Sequence, residues 1–310
     1  MRSKLALIGC TVLTLLCCVL VLHIGIRSDL LYSLSDATSP ELFEFVSPRG
    51  LTENTTISKE KRKVRAVVLV QAEALSTLHK EYKEMWLQYM NKEERIAAFF
   101  VYGTSANFMP VQSANDLIFP TIRDSYYLRL EEVLCAFNYV ESEFEYDFIV
   151  RTNLNTFWIW PRLLAHLDTL PIRGVYEGRG PLPVDVPPHK RYYVSEIDTV
   201  ISRGMIQLLL RDPSLRIYLV KLAKERMSVE AALGVFFHNL LKAPLRNDTR
   251  GTLVIQGKTE ATESLLEEIV EDLGPRWGGP HPSHVILNTP KVARENVDIA
   301  ILKRLIKQFY

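Results

Sequence analysis

The sequence predicts an α/β domain whose mostly parallel sheet is covered by helices on both faces. Two patterns lead there. Short β-branched runs, apolar at consecutive positions, alternate with longer stretches whose apolar residues recur at helical spacing. The composition agrees, since 47% hydrophobic and 24% charged residues supply a packed core and exclude bulk disorder.

Residues 64–310 carry this alternation and are expected to form one domain. Val64–Val70 opens it as a buried strand, apolar on both faces. A helix should run from Ala74 to Met90, with Leu75, Leu78, Tyr82, Met85, Trp86 and Tyr89 on one stripe. Ile96–Tyr102 is the next strand and Asp116–Phe119 a short one; Tyr126–Val140 is helical and Tyr146–Arg151 extended. Pro161–Leu170 reads as a helix with proline in its first turn. Val175–Glu177 and Tyr192–Ile201 look extended, and Gly204–Leu210 helical. Helices follow near Leu215–Glu225 and Ser228–Leu241, the latter with a serine cap, and Lys291–Tyr310 forms an amphipathic final helix. Ligands of such sheets sit outside the carboxyl ends of strands, so the places to look are after Val70, after Tyr102 and above all after Val150.

Upstream, Leu5–Ile26 is uncharged for 22 residues. As a helix it would be about 33 Å long, enough to cross a hydrocarbon core of about 30 Å. A cleaved signal has an apolar region of about 7–15 residues followed by small residues. This run is longer and ends in His23-Ile24-Gly25-Ile26-Arg27, so it reads as an uncleaved anchor. Arg2 and Lys4 keep residues 1–4 in the cytosol, which makes a single-pass type II protein with a lipid bilayer as partner through residues 5–26. Residues 27–63 lack periodicity and read as a stem. The sequons at Asn54 and Asn247 would then be open to glycosylation. Cys10, Cys17 and Cys18 lie in the anchor, where the latter pair are palmitoylation sites or simply apolar residues. Cys135 alone remains in the globular part, which leaves no internal disulfide there, and no spacing suggests zinc. A net charge of +1 without basic clusters argues against a nucleic-acid partner.

The informative segment is Tyr146-Asp147-Phe148-Ile149-Val150-Arg151-Thr152-Asn153-Leu154-Asn155-Thr156-Phe157, followed by Pro161-Arg162-Leu163-Leu164. An apolar strand ends in a polar cluster, turns, and leads into a helix. Here the chain resembles the β-1,3-galactosyltransferase-like glycosyltransferases (hexosyltransferases), whose strand reads roughly D-F-x-x-K-T-D-D-D-x-F, with P-x-L-L after it. Tyr193–Arg203 resembles the family's Y-x-S-G-x-x-Y-x-x-S-R stretch, Val229–Gly234 its E-D-V-x-x-G motif, and Asp124-Ser125-Tyr126-Tyr127 its D-x-Y segment. The likeness covers residues 66–240, and the chain departs from it where Asn153, Leu154 and Asn155 stand on three acidic positions.

The resemblance implies a three-layer α/β/α nucleotide-sugar-binding (GT-A-like) domain behind a transmembrane helix in the Golgi membrane. It implies inverting transfer of a hexose or N-acetylhexosamine from a UDP-sugar to a glycan or glycoprotein acceptor. It places Glu230 at the general base; the alternative is a carboxylate at a helix N-terminus, where the dipole favours it. Arg151, Thr152, Asn153, Asn155 and Asp124 fall on the donor side, although residue preference favours Asp124 as the cap of the Tyr126 helix over contact with the donor base. Ser195 and Glu196 fall on the acceptor side, with Glu196 replacing a family glycine. The family's Mn²⁺ would rest on Asn153 and Asn155, whose amide oxygens carry no charge. Three outcomes remain open: the metal is held by other carboxylates, Arg151 or another cation replaces it, or a lumenal binding protein has lost catalysis. Trp158 and Trp160 could stack on a sugar or belong to the core. His281 and His284 read as surface residues of a loop.

Overall fold

In the computed structural model, residues 60–72, 77–104, 114–120, 126–186, 189–195, 197–224, 227–247, 251–274 and 282–310 are described. The expected anchor at 5–26, most of the stem, Asn54, Asp124 and Glu196 lie outside them. Among the described residues no helix is long and apolar enough to cross a membrane.

The strand predicted at Val64–Val70 runs from Ala66 to Gln71 (β1) and is buried at every position but the last, because it lies in the middle of a sheet. Ile96–Thr104 (β2) pairs with it in parallel on one side, and Asp116–Pro120 (β3) extends that edge. The chain then crosses back through helix Tyr126–Glu143, and Phe148–Asn153 (β4) pairs in parallel with the other side of β1. Beyond β4 come Tyr176–Gly178 (β5), Asp198–Ser202 (β6) and Leu245–Asn247 (β7). The order is β3-β2-β1-β4-β6-β5-β7, with β6 antiparallel to both its neighbours. The expectation of a mostly parallel α/β sheet therefore holds, with one reversed strand. Because β1 moves outward to β2 and β3 before the chain returns to β4, the order reverses between β1 and β4. Ligands of such sheets sit outside the carboxyl ends at this switch point, which here falls at the Gln71–Asn153 pair.

Alternation along β1 supplies both layers. Ala66, Val68 and Val70 face helix Thr77–Leu87 (α1) and the C-terminal helix Arg294–Phe309 (α2) through Trp86, Ile301 and Leu305. Val67 and Leu69 face Leu134 and Phe137 of helix Tyr126–Glu143, and Ile206 and Leu233 further along the chain. Trp158 and Trp160 are fully enclosed in the first of these cores, which settles them as packing residues.

A second sheet departs from expectation. Thr156–Trp158, Thr252–Gln256 and His284–Asn288 form three strands, with His284–Asn288 in the middle. Each strand is short, and the central one pairs with residues 32 positions before it on one side and 126–130 before it on the other, so local periodicity carries no trace of it. The predicted extended run Tyr192–Ile201 also divides. His189–Tyr193 pairs with Leu182–Val186 in a separate ribbon, while Asp198–Ser202 enters the main sheet as β6.

The C-terminal helix is tied in by polar contacts as well as by its apolar face. Tyr82 of α1 donates its hydroxyl to Asp298, and Thr289 donates to the other oxygen at 2.6 Å. Burial pushes the Asp298 carboxyl above its usual range, while these hydroxyls and Arg294 pull it down. A raised folded-state value means that the folded chain keeps a proton which the unfolded chain releases. The associated stability is therefore present below about pH 4 and is lost as pH rises from there. Asp298→Asn removes this titration but keeps an acceptor. Urea unfolding of wild type and variant should show the difference between them moving in the variant's favour as pH rises from about 4 to neutral. A pH-independent difference would contradict the assignment.

Candidate functional site

At the switch point between β1 and β4, the alternation of β4 decides which side chains go to which face. Arg151 and Asn153 project to the face that carries Ile149, Leu69 and the Ser228 helix, whereas Thr152 and Leu154 project to the α1 and α2 side. The two sides have different tasks.

On the α1 side every predicted residue is held by the protein itself. Thr152 is buried, and its hydroxyl accepts the Trp158 indole N–H at 3.1 Å. Leu154 is buried, and its carbonyl accepts the Trp86 indole N–H at 2.8 Å. Asn155 donates its amide to the Leu287 carbonyl at 2.9 Å and accepts the Leu287 backbone N–H on its own carbonyl at 2.9 Å. Its side-chain oxygen is buried with no hydrogen-bond partner among the described residues.

On the opposite side the structure brings Arg151 and Glu230 together. Helix Val229–Gly234 (which we label α3) starts where expected: Ser228 accepts the Ala231 N–H on its hydroxyl at 3.2 Å and so satisfies one of the free amides of the first turn. Glu230 lies in that turn. Its carboxylate stands 3.6 Å from the Arg151 guanidinium, with side chains only 6% (Arg151) and 12% (Glu230) exposed. Tyr176 of β5 completes the cluster. Burial raises its phenol well above the ordinary range, with Arg151 opposing and Glu230 adding to the shift. The Tyr176 hydroxyl accepts the Val194 N–H at 3.3 Å. Asn153, two residues beyond Arg151 on the same face, is half-buried at the strand end.

The approach of α3 depends on Gly234. A Cβ there would stand 2.2 Å from the Tyr193 Cβ and 2.8 Å from its Cα, so only hydrogen fits. Immediately after Gly234 the chain continues as a π-helix, Val235–Leu240. Beyond Tyr193 comes Ser195, which is buried. Its N–H donates to the Arg179 carbonyl at 2.8 Å, and its own carbonyl accepts the Thr199 hydroxyl.

Two residues that sequence reasoning passed over or misread, His284 and Asp198, form a buried polar group. His284 is fully buried at the start of its strand, not on a surface loop. It stacks on Trp158 at 4.3 Å, meets Ser283 and Thr252 hydroxyls at 3.0 Å each, and stands 3.6 Å from Asp198. Asp198 in turn accepts the Arg179 N–H at 3.2 Å. A histidine beside prolines gives no sequence sign of burial; only the pairing of its strand with Thr156–Trp158 encloses it. Tyr176 was equally silent, since one tyrosine in a short strand carries no periodic signal.

The donor chemistry does not fit a divalent cation. Of the triplet Asn153-Leu154-Asn155, Leu154 is buried apolar, Asn155 is bound to Leu287, and Asn153 offers one neutral amide. Among the described residues no group of three His, Cys, Asp or Glu side chains could hold a metal ion. Asn247 ends β7, and its sequon partners lie outside the described residues.

No protein-family model matches the chain, and no curated protein matches it in sequence. The solved structures it is similar to include glycosyltransferases. One is a glycosyltransferase involved in the glycosylation of the major capsid of PBCV-1, at 7% identity and a TM-score of 0.44, covering 77% of this chain and 98% of that one. Another is the galactosyltransferase LgtC in complex with donor and acceptor sugar analogs, at 9% identity and a TM-score of 0.41, covering 79% and 96%. An active-site mutant of LgtC matches at 10% identity and a TM-score of 0.39, with the same coverage.

The close contact at Gly234 yields a direct test. Gly234→Ala forces a methyl group against Tyr193 and should cost about 1–3 kcal/mol, read as a lower urea midpoint. A midpoint equal to wild type would mean that α3 does not pack this closely.

Proposed function

We propose that the chain is a glycosyltransferase, which moves a hexose or N-acetylhexosamine from a UDP-sugar to a hydroxyl of a glycan or protein with inversion at the anomeric carbon. One observation carries the reading: Arg151 and Glu230 meet, largely buried, on one face of β4 beside the reversal of strand order. A paired cation and carboxylate at that point is what the reaction requires. Glu230 takes the proton of the acceptor hydroxyl as that oxygen attacks the anomeric carbon, and the bond to the UDP oxygen breaks. Negative charge then accumulates on the leaving diphosphate and must be neutralised.

Asn153, half-buried at the end of β4, suits the donor ribose or phosphates. Ser195, joined through Val194 to the Tyr193 contact of α3, suits the acceptor side. Thr152 and Asn155 would act from behind, by holding the strand end and turn in place. The cellular setting that goes with this reading is a type II protein of the Golgi membrane, anchored by residues 5–26, with its domain in the lumen and glycans on Asn54 and Asn247. A non-catalytic lumenal binding protein is favoured by one observation, the absence of carboxylates at the Asn153–Asn155 turn.

Incubation of the purified full-length chain with UDP-galactose, UDP-glucose and their N-acetyl derivatives decides between the two. Transfer predicts UDP release that rises with an acceptor glycan and falls by about a hundredfold or more in Glu230→Gln, as expected for loss of a general base. Binding of UDP-sugar without release would favour the non-catalytic reading. A Glu230→Gln rate equal to wild type would remove Glu230 from the chemistry.

A further inference from the structure

We infer that the Arg151 guanidinium holds the donor diphosphate in place of a divalent cation, and that Glu230 is the resident counter-ion which the phosphates displace. The inference rests on the preceding reading of the site and adds how that site binds its substrate.

The first ground is the state of Arg151. A guanidinium has five N–H donors in a fixed planar fork and cannot shed its charge. Burying such a group is costly unless it is paired and hydrogen-bonded. Here the side chain is only 6% exposed, yet its charged partner among the described residues is Glu230 at 3.6 Å, beyond hydrogen-bonding distance. Compare Arg162, also buried, whose fork donates to the Pro282 carbonyl at 2.6 Å and the Gly274 carbonyl at 3.2 Å and lies over the Phe309 ring. Arg162 is a packed structural arginine. Arg151 retains donor capacity that suits a phosphate bidentately.

The second ground is what surrounds it. The turn that follows Arg151 contributes two amides and a buried leucine, which cannot neutralise a diphosphate or keep a hard divalent ion. A fixed positive charge two residues before that turn, on the same face as Asn153, can. The third ground is Glu230 itself. A carboxylate already seated at the guanidinium competes with phosphate for it, and its displacement frees the oxygen that must take the acceptor proton. Donor binding thereby precedes activation of the base, and the order of binding follows from a single ion pair.

Calorimetry of the purified full-length chain with UDP tests this, first in EDTA and then with MnCl2. Equal affinity in the two buffers is expected. Arg151→Gln should weaken binding by about tenfold or more, as for loss of charge-assisted hydrogen bonds, with Arg151→Lys in between. Glu230→Gln should tighten binding severalfold, because the competing anion is gone; this keeps the test alive if the Arg151 variants do not fold. Binding that appears only with MnCl2, or weaker binding in Glu230→Gln, overturns the inference and leaves the transferase reading standing. Failure of the wild-type chain to bind UDP or any of the four UDP-sugars in either buffer overturns both.

Discussion

The turn Leu154–Asn155 is the constraint from which the rest of the site follows, because two sheets share it. Strand β4 of the central sheet ends at Asn153, and three residues later the chain is already pairing in the second sheet. A turn this short between two packed layers leaves backbone groups far from water, and each needs a partner. The Trp86 indole takes the Leu154 carbonyl, while Asn155 exchanges bonds with Leu287 through both its backbone and its side chain. Once these are made, the direction of β4 is fixed, and so is the face to which Arg151 and Asn153 project.

The helices behind the turn serve the same end. Tyr310, the last residue, donates its hydroxyl to the Trp158 carbonyl at 2.9 Å and accepts the Trp160 N–H at 2.7 Å. Its ring stacks on Tyr89, which itself accepts the Trp160 indole N–H on its carbonyl. The C-terminus thus braces the segment that leads out of the turn, 150 residues upstream. On the opposite face the bracing is steric: the absent side chain of Gly234 lets α3 rest on Tyr193, close enough for Glu230 to reach Arg151. Rigidity on one face and close approach on the other bring a carboxylate and a guanidinium together at the end of β4.

Much of the central sheet was legible, because β1, β2 and β4 are apolar at successive positions and their helices keep a clear stripe. The Ser228 cap was legible for a local reason, a side chain that accepts an amide three residues on. The second sheet was not, since Thr252–Gln256 and His284–Asn288 are short and their partner is Thr156–Trp158. The status of Trp158, Trp160 and His284 went with it: a tryptophan beside a candidate site reads the same whether it will stack on a sugar or on a buried histidine.

What the sequence by itself determined was the alternation of strands and helices, the place of the polar turn after β4, and the absence of carboxylates from it. These are properties of consecutive residues and of side-chain chemistry, which survive without a fold. Tertiary structure decided which of the polar residues share a face. Arg151 and Glu230 are far apart in the chain, and their meeting depends on strand order, on the pleat of β4 and on a glycine that admits a helix. Thr152 and Asn155 stand beside Arg151 in sequence yet turn inward to Trp158 and Leu287, because a strand sends neighbours to opposite faces and a turn between two sheets must satisfy its own backbone.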